Sequence, residues 1–365
     1  MTNPLSAAPT DSPCSVAGRA LLARVAALVH PPTPGQSGGM QVWFVDAHGA
    51  HPRDPDDVVE LYVHEDGFFW IDIPEWDDEA ESFLDGLGCH PLVREACRQR
   101  NFVPTVHGYD DHVFVTTQSP LLGAAGHVHL LELDQIIAHQ YLVTVHGPLN
   151  PDVDMSTSLV ETQGVLRRVD EGRFRPTSPA QLSHAITSGV ARRQSALVRT
   201  VAAKLPGLET EVMDSRLRDP EVLLETMFLI RHELITARTM AAQCKDIWVR
   251  MATIGRLSDD VDSGYARDLA DQFAVVRSLA DGEAEFLFGV IELYQTKVHT
   301  KMTVAMERLA VIAAVTLPIT AIASIYGMNV IVNQRTHYPQ LAVLLALMLA
   351  ISLTLLRWAK RQGWW

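Results

Sequence analysis

The chain is poor in the features that mark catalytic and metal-binding domains. Its four cysteines, Cys14, Cys89, Cys97 and Cys244, have neither zinc-ligand spacing nor a disulfide-like pattern, so they read as structural thiols in a reducing compartment. No glycine-rich phosphate loop and no nucleophile elbow occurs, and the chain is not expected to be an enzyme. A signal peptide is not expected either: the apolar patch Ala20–Val29 is broken by Arg24 and followed by Pro31, Pro32 and Pro34. The Pro-, Ser-, Ala- and Gly-rich residues 1–39 are expected to be a disordered tail.

Charge is missing most sharply near the other end. Leu309–Tyr326 contains none, and neither does Leu341–Leu356. With its uncharged flanks, each run reaches the roughly 20 residues that cross a hydrocarbon core about 30 Å thick. Two closely spaced membrane spans are expected. Lys301 and Arg308 precede the first, Arg357, Lys360 and Arg361 follow the second, and the loop between has Arg335 alone. The positive-inside bias then puts both termini in the cytosol of a cytoplasmic membrane, with Trp358, Trp364 and Trp365 as anchors at its inner face.

What is plentiful is acid. Residues 301–365 hold six Lys or Arg and one Glu, net +5, which leaves −18 on residues 1–300 of a chain at −13. Such a surface disfavours nucleic acid and gathers cations, although a domain that needs only to stay soluble would show the same charge.

From Met40 the pattern is that of short strands: residues 41–45, 58–63, 68–73, 113–118, 128–133 and 141–145 are rich in β-branched and aromatic residues. Helices are expected over residues 76–87 and 90–100, giving an α/β domain around a buried sheet. Among the 15 histidines, His127 and His129 share a strand face but lack a third ligand. Asp110, Asp111 and His112, and Cys89 with His90, read as turn and helix-start residues. After Pro179 helical periodicity prevails over residues 180–217, 220–256 and 263–328, the first two as an antiparallel hairpin.

The long last helix has a seam. Steps of four and three residues give Gln295, His299, Met302, Met306, Leu309, Ala313, Thr316, Thr320, Ala323 and Gly327, with Ser324 beside them. This 3.5-residue period marks helices packed around a common axis. It fits a pore with a hydrophobic constriction, or a tight bundle in which small and hydroxyl residues permit close approach.

The run closes on Tyr326-Gly327-Met328-Asn329 with one span after it, and in this position the tripeptide resembles that of the CorA magnesium transporter family and its ZntB-like branch. Over about residues 40–365, Trp70-Ile71-Asp72, His90-Pro91-Leu92, the segments 109–114 and 141–146, and Leu208-Glu209-Thr210-Glu211 look like the family's cytosolic domain and hairpin. The resemblance implies a funnel-shaped homopentamer in the lipid bilayer, an α/β cytosolic domain with a long helical stalk and two C-terminal transmembrane helices. The expected organisation is a disordered tail (1–39), a cytosolic α/β domain (40–178), a hairpin and stalk helix (179–308), a pore span (309–328), an external loop (329–338), a second span (339–358) and a basic cytosolic tail (359–365).

The resemblance further implies a selectivity ring of Gly327, Met328 and Asn329, a hydrophobic gate of Met302, Met306 and Leu309, and a pore lined by Ala313, Thr316, Thr320 and Ser324. Mg²⁺ is the expected cargo, with Co²⁺ or Ni²⁺ alongside; a ZntB-like, proton-coupled Zn²⁺ transporter is the alternative, and His299 and His337 would suit that softer ion. A membrane-tethered sensor or enzyme domain without transport is a reading of a different class. The family's cytosolic Mg²⁺ sensor pairs an acid in the helix after His-Pro-Leu with one early in the long helix. Asp268, with Asp271 nearby, matches the second, whereas Ala96 stands at the first and Glu95 is its nearest substitute. The loop Val330–Gln340 also lacks the acids that many members have there.

Overall fold

The computed structural model describes residues 39–55, 58, 67–99, 101–123, 127–147, 151–214, 220–254, 260–327 and 338–361. The expected tail lies outside them except for Gly39, as do Met328, Asn329 and most of the loop that follows. The described strands are β1 (Gln41–Asp46), β2 (Ala50–Arg53), β3 (Gly67–Ile73), β4 (Thr105–Gly108), β5 (His112–Leu122), β6 (Val128–Ala138) and β7 (Tyr141–His146). They form one sheet in the order β2-β1-β3-β7-β6-β5-β4. Only β3 and β7 pair in parallel; the other neighbours are antiparallel.

Both faces of this sheet are covered, which is why β3 reads Gly-Phe-Phe-Trp-Ile-Asp-Ile with almost no polar alternation. Phe69, Ile71 and Ile73 point to one face, where α1 (Asp78–Gly86) and α2 (Pro91–Arg98) supply Ala80, Phe83, Leu84, Val93 and Cys97. Phe68 and Trp70 point to the other. There α4 (Val160–Asp170, after the single turn α3, Met155–Ser158), α5 (Pro179–Ala202), α7 (Pro220–Met251) and the start of α8 (Asp260–Gly327) supply Val165, Ile186, Trp248 and Phe273. At about 1.5–3 kcal/mol per fully buried large apolar side chain, these two cores are the main stabilising term.

Local chemistry fixes the helix ends that matter later. Asp77 caps α1 by accepting from the Ala80 N–H at 2.7 Å. Gly88, at φ 77°, closes it in the left-handed conformation that glycine tolerates best. The turn delivers His90, whose Nδ1 accepts from the Leu92 N–H at 3.2 Å, and Pro91 occupies the first turn of α2.

The expected hairpin is present: Gln194 of α5 meets Cys244 of α7, and Lys204, just past α5, meets Glu233, so the two helices run antiparallel. Between them lies α6 (Leu205–Met213), and α9 (Tyr338–Arg361) is the last helix. Several expectations differ from the structure: α4 precedes Pro179, where no helix was expected, and residues 180–217 form α5 and α6 rather than one helix. Val58, placed at the head of a strand, is helical and buried in the core under α1 and α2, while residues 59–63 lie outside the described set. β2 and β4 were not expected: each has four residues and lies at a sheet edge, where β2 accommodates Pro52. β6 runs to Ala138 rather than ending at Leu133.

The chain divides into two compact units. One contains the sheet, its covering helices and α8 as far as Leu287; the other contains Glu211–Ser215 and Phe288–Trp365.

Candidate ion pathway

The second unit is built on the last forty residues of α8 and on α9. In both helices an apolar window long enough to cross a bilayer is almost wholly uncovered, with 6% of it buried. A soluble core helix would show the opposite, so these surfaces are matched to lipid or to other copies of the chain. Within the described apolar part of α8, Leu309–Ile325, the hydroxyl residues are Thr316, Thr320 and Ser324. A spacing of four puts all three on one side.

That side is the seam. All ten of its residues, Gln295 to Gly327, are exposed, among them Met302 at 59%, Met306 at 53% and Leu309 at 65%. Thr316 Oγ1 donates to the Ile312 carbonyl at 2.9 Å, and Thr320 Oγ1 to the Thr316 carbonyl at 2.8 Å. Each hydroxyl has one proton, so its oxygen lone pairs remain available at the exposed surface. A hydrated divalent cation presents water hydrogens outward, and acceptor oxygens are what it meets best. Met328 and Asn329, expected in the selectivity ring with Gly327, lie outside the described residues. Gly327 is the last residue of α8.

The candidate sensor residues all lie in the first unit. Glu95 is exposed on α2 and accepts from the Gln99 amide one turn on. Asp268 is on α8, where its Oδ2 receives His184 Nε2 at 2.6 Å and Gln272 Nε2 at 2.7 Å. The His184 hydrogen bond holds the Asp268 carboxyl below its ordinary pKa, against the opposing effect of partial burial. Asp271 is exposed one turn further on. Because α2 packs on one face of the sheet and this part of α8 on the other, Glu95 and Asp268 of one chain are separated by the sheet. Among the described residues no group of three or more His, Cys, Asp or Glu is arranged to hold a metal ion. His127 and His129 belong to no such group. Cys89, Cys97 and Cys244 are free and buried; burial pushes the Cys89 thiol up to about 12 and the Cys244 thiol to about 11.

Sequence reading missed a buried polar network beneath Trp70. Its Nε1 donates to Thr144 Oγ1 at 3.1 Å, Thr144 donates to Asp72 at 2.5 Å, and the same Asp72 oxygen meets His146 Nε2 at 2.9 Å. The clue was present: Asp72, Thr144 and His146 are the polar positions of otherwise apolar strands. Also missed was Lys297, whose partners are more than 80 residues away in the chain.

Similarity to known proteins agrees with this geometry. Over 307 residues the chain is 23% identical to YfjQ of Bacillus subtilis (strain 168), described as a metal ion transporter, covering 81% of this chain and 90% of that protein. Over 311 residues it is 22% identical to the cobalt/magnesium transport protein CorA of Thermotoga maritima, covering 81% and 83%. The fold matches the CorA magnesium transporter of Methanocaldococcus jannaschii with a TM-score of 0.73 at 17% identity, over 91% of this chain and all of that one. Residues 65–361 match the family described as CorA-like Mg²⁺ transporter protein, and the chain therefore belongs to the CorA family of metal ion transporters.

Proposed function

We propose that copies of this chain assemble, as a pentamer, around the α8 seam and conduct hydrated Mg²⁺ into the cytosol across the cytoplasmic membrane. The observation that carries this reading is the placement of every described hydroxyl of the first span on one exposed face, in line with exposed Met302, Met306 and Leu309. The three apolar side chains form a constriction that closes by dewetting. Ala313, Thr316, Thr320 and Ser324 line the wider part. Asn329, with Gly327 and Met328, holds the ion at the outer mouth through its water shell, since Mg²⁺ dehydrates reluctantly and a neutral amide does not trap it. Two charges moving down an inside-negative potential release about 4.6 kcal/mol per 100 mV, enough to drive uptake without a nucleotide.

Because the sheet separates Glu95 from Asp268 within one chain, a regulatory cation held by both would sit between neighbouring copies, with Asp271 beside it. Exposed His299 on the seam favours a second reading, Zn²⁺ as cargo coupled to protons. Both are tested in proteoliposomes with an imposed inside-negative potential. Mg²⁺ entry that follows voltage and ignores a pH gradient supports the first; Zn²⁺ entry that rises with the proton gradient supports the second. Asn329→Ala is expected to abolish flux while the assembled state persists, and unchanged flux would sink the pore reading.

A further inference from the structure

On the seam side α8 is bare, but on its back it is held. Lys297 Nζ donates to the carbonyls of Val212 at 2.7 Å and Met213 at 2.8 Å, and also to that of Asp214. An ammonium has three protons, and all three are used. The acceptors lie at and just past the C-terminal end of α6, where the last carbonyls of a helix carry the negative end of its dipole. α6 has no basic residue in its last turn, so Lys297 supplies the cap from another helix. All four residues belong to the second unit.

The position of Lys297 on α8 gives this cap its consequence. At about 100° per residue, Lys297 lies roughly 140° from Met302 and 160° from His299 and Gln295 around the helix. It therefore grips the back of the segment whose front leads into Met302 and Met306. The grip is about five residues from Met302, close to 8 Å along the axis. Val212 is fully buried while Met213 is 62% exposed, so the contact combines one fixed point with carbonyls that water can reach.

We propose that Lys297 is a positioning residue for the constriction: by capping α6 it holds this part of α8 in the non-conducting arrangement, and release of the cap favours opening. A shift of the C-terminal end of α6 is then felt by α8 at Lys297, within the same unit. The proposal rests on the pore reading above, and its test has one arm that does not depend on transport.

The full-length protein in lipid nanodiscs is compared as wild type, Lys297→Met and Lys297→Arg by amide hydrogen exchange, and in proteoliposomes by Mg²⁺ uptake. Lys297→Met keeps the aliphatic stem and removes the donors. Exchange over residues 209–214 is expected to quicken at least tenfold, with the β6 and β7 amides unchanged, and resting Mg²⁺ uptake to rise at least threefold. Lys297→Arg, which keeps the charge and offers five donors in place of three, is expected to bring both most of the way back. Unchanged exchange in Lys297→Met would show that the cap is not held in the membrane and would overturn the proposal. So would faster exchange with unchanged uptake, because the lysine would then be a helix cap and nothing more. Quickened exchange in a protein whose wild type carries no Mg²⁺ at all would leave the cap standing and reject the pore reading, and with it the gating role.

Discussion

Phe69 and Leu309 are both large apolar residues in regular structure, yet the first is 2% exposed and the second 65%. They stand for their units. In the sheet domain apolar side chains turn inward on both faces, and several buried polar groups find partners across elements: Ser183 donates to Gln135 at 2.6 Å, Gln135 to Thr187 at 2.9 Å, and Arg193 pairs with Glu161 at 3.1 Å. In the second unit apolar side chains turn outward, and the threonine hydroxyls of α8 bond to carbonyls of their own helix. One unit is made for water and the other for a medium that offers no hydrogen bonds. Lys297 departs from this pattern in the second unit, since its bonds reach another segment.

The sharpest way to stress this contrast is to damage each unit by its own rule. Trp70 is 1% exposed, packs in a tilted pair with Trp43 at 5.0 Å between ring centroids and donates to Thr144. Trp70→Ala should cost about 3–5 kcal/mol through the cavity it leaves, read as a lowered midpoint of chemical unfolding in detergent. Leu347, in the middle of α9, is 52% exposed. Leu347→Lys should leave the sheet domain's unfolding unchanged but cost about 2.5–3.5 kcal/mol of membrane insertion, read as a lower inserted fraction. If Leu347→Lys inserted normally, α9 would not be a lipid-facing span.

Legibility in the sequence followed the same division. β1, β3, β5 and β7 could be read because their β-branched and aromatic runs are nearly unbroken, and the seam because a spacing of four and three survives without knowledge of any neighbour. β2 and β4 could not, being four-residue edges with little apolar content. The expected end of β6 at Leu133 falls between Glu132 and Asp134. Two acids at alternate positions look like the wet end of a strand, but β6 continues past them and both are buried. Glu95 and Asp268 were paired by resemblance alone, and nothing in the sequence indicates that a sheet lies between them. Lys297, too, is ordinary as a letter in a helix; only the arrival of α6 gives it a role.

Those two acids supply the smallest and most specific prediction, one that asks whether the buried polar groups of the sheet domain are all stabilising. Glu132 accepts from the Asn101 backbone N–H at 2.6 Å and from its side-chain amide at 2.8 Å, bonds that suit an ionised carboxylate. Asp134 is fully buried beside Cys97 and Thr116, and burial, followed by the Glu132 charge, raises its pKa well above the ordinary value. The folded protein therefore keeps this proton to higher pH than the unfolded chain, which releases it near pH 4. The sign follows: this group's contribution is complete below about pH 4 and is lost at about 1.4 kcal/mol per pH unit as pH rises toward the folded pKa. Asp134→Asn keeps the shape and removes the titration. Unfolding midpoints measured from about pH 4 upward should fall with pH in the wild type and fall less steeply in Asp134→Asn, the difference growing until the folded pKa is passed. Parallel profiles would mean that Asp134 is already ionised in the fold, and that its burial does not hold the proton.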